Sequence, residues 1–177
     1  MKILQELVRI ISRRKLRDLR HLGFPFEDDN RLSALYEAVA AGELPEEEVA
    51  QAATGHSARS GRYRRVKADL RDRLVNALFL VDLSLPSYNE RQRAYYEVYK
   101  NWSACKILLG KNAREAGISL AERVLRQAEF FEFNEVALDI SRTLRLHYGT
   151  LMGDAKRYRV YADKSLALQR IVQAEGE

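Results

Sequence analysis

Apolar residues recur at helical spacing along nearly the whole chain, and this periodicity limits the possible folds more than any other feature. No stretch alternates apolar and polar residues convincingly in the manner of a strand. The three prolines and nine glycines lie almost entirely between the periodic stretches. We therefore predict an all-α protein of about eight helices, arranged as antiparallel helical hairpins.

The stretch from Gly61 to Asp82 is the most distinctive of these amphipathic helices. Its apolar positions recur every three or four residues and predict a buried face made of Tyr63, Val66, Leu70, Leu74, Ala77, Leu78 and Val81. Six basic residues fall largely between them: Arg62, Arg64, Arg65, Lys67, Arg71 and Arg73. This basic set faces either water or an anionic partner, and the sequence leaves both open.

The segment LSLPSYNE, at residues 83–90, is the predicted joint between two parts of the chain. Within it, Ser87 followed three residues later by Glu90 has the form of a capping box. We predict an N-terminal helical subdomain over residues 1–85 and helical hairpins over residues 86–177, with one continuous domain as the alternative. The predicted helices lie at about 2–21, 29–41, 45–54, 61–82, 88–109, 114–131 and 134–151, and after Asp154.

Composition narrows the class of protein. The formal net charge of +5 arises from 30 basic and 25 acidic residues, which is well short of the excess in a dedicated nucleic-acid packaging protein. The single cysteine, Cys105, excludes an internal disulfide bond. No stretch approaches the roughly 20 apolar residues of a membrane span, and no signal-peptide cleavage site follows the first apolar run. We predict a soluble, cytoplasmic protein with no membrane partner.

Signatures of enzymes are almost absent. Residues 55–59 approach the G-x-S-x-G nucleophile elbow, but the second glycine and the preceding strand are missing. Cys105 lies beside Trp102 on an apolar helix face, which is typical of a core thiol. No histidine has a partner at metal-ligand spacing: His21, His56 and His147 are isolated. We predict no catalytic residue, no metal and no cofactor.

In the second part, Ala121, Leu125 and Ala128 form a stripe of small, large and small residues on one helix face. The same stripe begins again 41 residues later with Ala162 and Leu166. Residues 94–174 thereby resemble tetratricopeptide-type helical repeats. The resemblance implies a short right-handed solenoid that presents a groove to a protein or peptide. A generic antiparallel bundle explains the same stripes equally well.

The segment from Tyr63 to Asp82 resembles the helical lead that precedes degenerate repeats in uncharacterised bacterial proteins. This resemblance implies an interaction role and carries no catalytic residues. Because solenoids usually need further repeats and a polar capping helix, we expect either a longer protein or a dimer formed through the last helix.

Aromatic residues are concentrated in the second part, where tyrosine in a helical groove is a common anchor for peptides. The predicted protein-binding residues are Tyr95, Tyr99, Trp102, Tyr158 and Tyr161. Packing between helix pairs is the alternative interpretation of these side chains. We predict binding of a protein or peptide as the main function, with a homodimeric structural protein as one alternative.

Nucleic-acid binding is the other alternative. Residues 47–67 partly resemble a helix-turn-helix, with Gly55 in the turn and Ser57 as the cap of the second helix, although Gly61 weakens the match. The predicted contacts are Arg13, Arg14, Arg17, Arg62, Arg64, Arg65 and Arg71. If these arginines instead meet nearby carboxylates, the resulting surface ion pairs contribute only about 0 to 1 kcal/mol each.

Overall fold

A computed structural model describes residues 1–11, 30–42, 44–80 and 88–176. Over these ranges the chain forms eight α-helices and one short π-helical turn, and no strand occurs in the described part. The predicted all-α class is confirmed. The chain divides into two compact units, Met1–Asp82 and Leu83–Glu177.

The N-terminal unit contains four of the helices. They are α1 (Lys2–Ile10), α2 (Asn30–Ala40), α3 (Glu46–Thr54) and α4 (Gly61–Leu78). The first helix was predicted to continue to His21, but the backbone leaves the helical region at Ile11. The predicted basic cluster at residues 13–20 lies outside the described residues.

Helix α4 packs against α1, α2 and α3, and α2 likewise contacts each of the other three helices. The buried face of α4 is the predicted one over the described length, with Tyr63, Leu70 and Leu74 fully enclosed. The surrounding helices contribute one apolar stripe each: Leu4, Leu7 and Val8 from α1; Leu32, Leu35, Tyr36 and Val39 from α2; Val49, Ala50 and Ala53 from α3.

The connection between α3 and α4 is longer than the tight turn that the helix-turn-helix alternative requires. Gly55 ends α3 in the left-handed conformation, with φ of 67°. The next helix then begins only at Gly61, and its cap is Ser60, whose hydroxyl accepts from the Tyr63 amide at 3.1 Å. The predicted cap, Ser57, is wrong because six residues, 55–60, separate the two helices, whereas a helix-turn-helix uses a three- or four-residue turn.

The C-terminal unit contains the other four helices. They are α5 (Glu90–Gly110), α6 (Arg114–Phe130), α7 (Asn134–Leu146) and α8 (Ala155–Glu175), with the π-helical turn His147–Leu151 after α7. A capping box does begin α5, but it joins Asn89 and Gln92 rather than the predicted Ser87 and Glu90.

Two similar turns connect the first three of these helices. Asn112 and Glu132 each adopt a positive φ, 63° and 57°. In each turn the following residue donates a backbone hydrogen bond to the carbonyl five residues earlier. The Ala113 amide donates to the Leu108 carbonyl and the Phe133 amide to the Ala128 carbonyl, both at 2.9 Å. These bonds satisfy the last carbonyls of each helix and reverse the chain within three residues, which gives antiparallel helical hairpins.

The core of the C-terminal unit lies between these hairpins. Cys105 is fully buried in it, as predicted, and burial raises the pKa of its thiol. Ala121, Leu125 and Ala128 also point into the core. Leu166, the predicted counterpart of Leu125, is instead exposed, so the second stripe does not continue on the buried face of α8. Ser165 and Leu168 occupy that face.

Candidate functional site

Seven aromatic side chains form one continuous cluster of rings at one end of the C-terminal unit: Tyr88, Tyr95, Tyr96, Tyr99, Phe130, Phe131 and Phe133. We call this set the aromatic cluster. Tyr95 is its centre, with ring centroids 4.6 Å from Tyr99, 5.7 Å from Tyr96 and 5.4 Å from Phe133. Most pairs meet edge to face, the arrangement that the ring quadrupole favours.

The aromatic cluster is only partly buried. Phe133 lies beneath it in the core, whereas Phe130 is 77% exposed and Tyr95, Tyr96 and Tyr99 are between 37% and 44% exposed. The inner ring therefore anchors the cluster to the fold and the outer rings meet solvent. A contiguous group of exposed rings is uncommon on a soluble domain and marks an interaction site more often than a single exposed apolar residue does.

The hairpin geometry explains why these residues meet. Tyr95 and Tyr99 are four residues apart and therefore share one face of α5. The antiparallel hairpin brings the start of α5 beside the end of α6, where the Gln127 amide donates to Glu97 Oε2 at 3.2 Å. The short turn at Glu132 then places Phe133 against Tyr95, with Phe131 stacked on Phe133 and Phe130 against Phe131.

Charged and polar groups border the cluster. The Arg91 guanidinium lies 5.2 Å from the centre of the Phe133 ring, within the range of a cation–π contact. Burial raises the pKa of Tyr99, and a hydrogen bond with the Tyr95 side chain adds to that shift. The Tyr99 hydroxyl is therefore protonated at neutral pH and can both donate and accept a hydrogen bond.

Trp102, predicted as a binding residue, has a different role. It lies one turn beyond Tyr99 and is buried in the core. Its indole Nε1 donates to Asp139 Oδ2 at 2.9 Å, and Lys106 Nζ donates to the same oxygen at 2.7 Å. Trp102 thus joins α5 to α7, and the prediction that it forms part of a binding surface is wrong.

This Asp139 contact gives the stability of the protein a pH dependence. Burial alone would raise the Asp139 pKa, but the hydrogen bonds from Lys106 and Trp102 outweigh that effect and hold it below its usual value of about 3.9. A depressed carboxyl pKa stabilises the fold above the unfolded-state pKa, and this stabilisation disappears as the pH falls through the folded-state pKa.

We therefore expect Asp139→Asn to lower the melting temperature at pH 7 and to lower it less as the pH falls below about 4. Thermal unfolding followed by circular dichroism from neutral to acidic pH measures this difference. Asp163→Asn, at an exposed carboxyl on α8, is the matched control. If the difference in melting temperature between the wild type and Asp139→Asn stayed constant down to the most acidic pH, it would contradict the lowered pKa of Asp139.

Tyr158 and Tyr161 lie at the other end of the unit, near the start of α8. The Tyr161 hydroxyl donates to Glu122 Oε1 at 3.0 Å, and the Tyr148 hydroxyl donates to the same oxygen at 2.8 Å. The Tyr148 and Tyr161 rings are stacked, with centroids 5.5 Å apart. Burial and the Glu122 contact raise the pKa of Tyr161, so this network holds α8 against α6 with its hydroxyls protonated.

The ring of Tyr158 covers Gly149 in the π-helical turn, where a Cβ atom would lie 2.6 Å from Tyr158 Cδ2. Tyr158 is exposed on its other face. The five predicted binding residues therefore do not form one surface. Tyr95 and Tyr99 share the aromatic cluster, Tyr158 and Tyr161 lie at the opposite end, and Trp102 is core.

The sequence interpretation also missed residues that belong to the cluster. Tyr96 and the three phenylalanines belong to the cluster but are not among the predicted binding residues. The run Phe130-Phe131-Glu132-Phe133 at the end of a predicted helix was the available signal, because three apolar rings in four residues cannot all face a helical core.

The predicted arginine contacts divide into three groups. Arg62, Arg64 and Arg65 are exposed on the first turns of α4. Arg71 is bound to Asp72 at 2.8 Å, and the neighbouring Lys67 donates to Glu46 Oε1 at 2.6 Å. The remaining predicted contacts lie outside the described residues: Arg13, Arg14 and Arg17.

Comparison with known protein families, curated proteins and solved structures finds no match for this chain. None of the helices in the described ranges combines the length and apolar character that crossing a membrane requires. Within those same ranges, no group of three or more histidine, cysteine, aspartate or glutamate side chains is arranged to hold a metal ion.

Proposed function

We propose that this chain is a non-catalytic interaction module that binds a protein or peptide partner through the aromatic cluster. The observation that carries the proposal is one connected group of rings, of which Tyr95, Tyr96, Tyr99 and Phe130 are each more than one third exposed. Tyr95 contacts Tyr96 and Tyr99 directly, and Phe130 joins them through Phe131 and Phe133. Single exposed apolar residues are normal on a soluble protein, but a connected group of aromatic rings is not.

The chemistry of these rings suits protein recognition. Tyrosine and phenylalanine offer a large contact area and lose little side-chain entropy when they are immobilised, because each has only two rotatable side-chain bonds. The buried Phe133 beneath them limits that motion further. Such preorganised aromatic residues carry much of the binding energy in measured interfaces.

The proposal also specifies the partner in chemical terms. The exposed rings favour an apolar or aromatic anchor side chain, which would pack against them. The hydroxyls of Tyr95, Tyr96 and Tyr99 lie around this contact and can bond to the backbone of a peptide. We therefore expect the partner to present one or two apolar anchors flanked by accessible backbone.

A peptide-display selection against the full-length chain tests this function. We expect the selected peptides to contain aromatic or large aliphatic residues. The double variant Tyr96→Ala with Phe130→Ala should weaken their binding by about 30-fold or more, because truncation of a hot-spot residue typically costs about 2 kcal/mol or more. Isothermal titration calorimetry of a selected peptide measures the change.

Ile107→Ala is the matched control for this measurement. Ile107 is an exposed apolar residue on the same helix, α5, but it lies outside the aromatic cluster. The control should bind the peptide with wild-type affinity. An equal loss of peptide affinity in the double variant and in Ile107→Ala would refute the proposal. Selected peptides that lack apolar anchor residues would also refute it. Sedimentation velocity on the same samples distinguishes the homodimer, which requires a concentration-dependent shift. Phe130→Ala abolishes that shift only if the dimer forms through the aromatic cluster and not through the last helix.

A further inference from the structure

The arginines of α4 form a second candidate site, independent of the aromatic cluster. On one flank of the helix, Arg62 and Arg65 line a concavity of about 610 Å³ together with Arg31 from α2. On the other flank, Arg64 lines a cavity of about 410 Å³ together with Lys2 from α1. The exposed first two turns of α4 therefore carry positive charge on both sides.

This charge is not neutralised from within the described ranges. The side chains of Arg62, Arg64 and Arg65 make no ion pair or hydrogen bond there. Asp69, the one carboxylate in the first concavity, is bound by Arg73 at 3.0 Å. Arg62 and Arg65 are three residues apart and lie side by side on the helix, where like charges repel each other. An external anion would relieve this repulsion.

The chemistry and the geometry of the arginines indicate which anion. Guanidinium groups donate paired hydrogen bonds that fit phosphate oxygens. Arg62 and Arg64 are two residues apart and so point about 200° away from each other around the helix axis. A single small phosphate cannot contact both flanks. The two phosphate backbones that border the major groove of DNA can, because that groove, about 12 Å wide, admits one α-helix.

We infer that the first two turns of α4 bind duplex DNA, with Arg62 and Arg65 contacting the phosphates of one strand and Arg64 those of the other. Three or four phosphate contacts would be made, depending on whether Lys2 takes part. Phosphate contacts carry no sequence information, so the binding is of the non-specific type.

Fluorescence anisotropy with a labelled random-sequence duplex tests this inference. Between about 50 and 200 mM NaCl, the plot of log affinity against log salt should have a slope of about −2.7 to −3.6. The double variant Arg62→Ala with Arg65→Ala should bind at least about tenfold more weakly at the lower salt and reduce the magnitude of the slope by about 2. Arg64→Ala alone should reduce it by about 1.

Arg159→Ala with Arg170→Ala is the matched control, because it removes the same charge from two exposed arginines of α8. This control should bind DNA as the wild type does, and all variants should keep the wild-type melting temperature. No binding at low salt, an unchanged affinity in the Arg62/Arg65 variant, or an equal loss in the control would each overturn the inference. Binding to phosphatidylglycerol vesicles or to pyrophosphate, without binding to DNA, would also overturn it.

Discussion

Replacing Trp102 with alanine should lower the free energy of unfolding by about 3–5 kcal/mol. The indole is buried between α5 and α7, so its removal leaves a large cavity in the core of the C-terminal unit. Asp139 also loses the donor that Trp102 provides, although it keeps Lys106. Urea unfolding followed by far-ultraviolet circular dichroism measures the change.

Trp102→Phe separates the two contributions. Phenylalanine keeps much of the packing but has no N–H group, so this variant should lose less than half as much stability as the alanine variant. Trp102 is the only tryptophan of the chain, so its fluorescence in the wild type reports the same transition. A loss below about 1 kcal/mol in Trp102→Ala would be typical of a surface residue and would contradict its assignment to the core.

Tyr63→Ala should have a comparable effect on the N-terminal unit, a loss of about 3–5 kcal/mol. The Tyr63 ring lies on the inner face of α4 and is completely buried. Its hydroxyl donates to Glu46 Oε1 at 3.3 Å, the same oxygen that Lys67 contacts. Burial, followed by the charge of Glu46, raises the pKa of Tyr63, so the hydroxyl is protonated across the range in which the protein would be handled.

Tyr63→Phe is the control that isolates the hydroxyl. The hydroxyl-to-carboxylate distance is long for an O–H···O bond, and Glu46 retains Lys67, so the phenylalanine variant should lose no more than about 1 kcal/mol. Chemical unfolding of the two variants under identical conditions measures this difference. If Tyr63→Phe were as unstable as Tyr63→Ala, the polar contact rather than the buried ring would hold α4 in place.

Helical periodicity was sufficient to predict most of the fold. The apolar positions of α4 recur at helical spacing, and the structure buries five of the six that it describes; the sixth, Leu78, is partly buried. Helix caps were harder to predict because several short polar residues compete for the same role. Near the start of α5, Asn89 caps the helix although Ser87 was an equally good candidate. The choice depends on backbone geometry, which residue type alone does not determine.

The candidate site was less predictable than the fold. Tyr99 and Trp102 are three residues apart in one apolar stripe, yet one ring is exposed and the other is buried. Asp139 of α7 binds the indole of Trp102, whereas the Tyr99 ring lies against Tyr95 in the partly exposed aromatic cluster. Periodicity identifies the face of a helix that packs against its neighbours. Which residues of that face are covered depends on contacts with helices that are distant in sequence.

The charges of α4 show the same limit. Six basic residues alternate with the apolar positions in the sequence, and all of them look equivalent. In the folded chain, Glu46 engages Lys67 and two aspartates engage Arg71 and Arg73. The Glu46–Lys67 pair depends on the packing of α3 against α4, which the sequence does not show. The two aspartate pairs are local to α4, and Asp69 with Arg73 has the spacing of four residues that favours such a pair.

Photo-crosslink mapping tests the central claim, that the aromatic cluster is the binding surface for a protein partner, most directly. A display-selected peptide would carry a benzophenone group at its apolar anchor, and mass spectrometry would locate the attachment. We predict crosslinks to residues 88–99 of α5 and its cap, and to residues 130–133 of the α6–α7 turn. Crosslinks confined to α8 or to the N-terminal unit would contradict the claim.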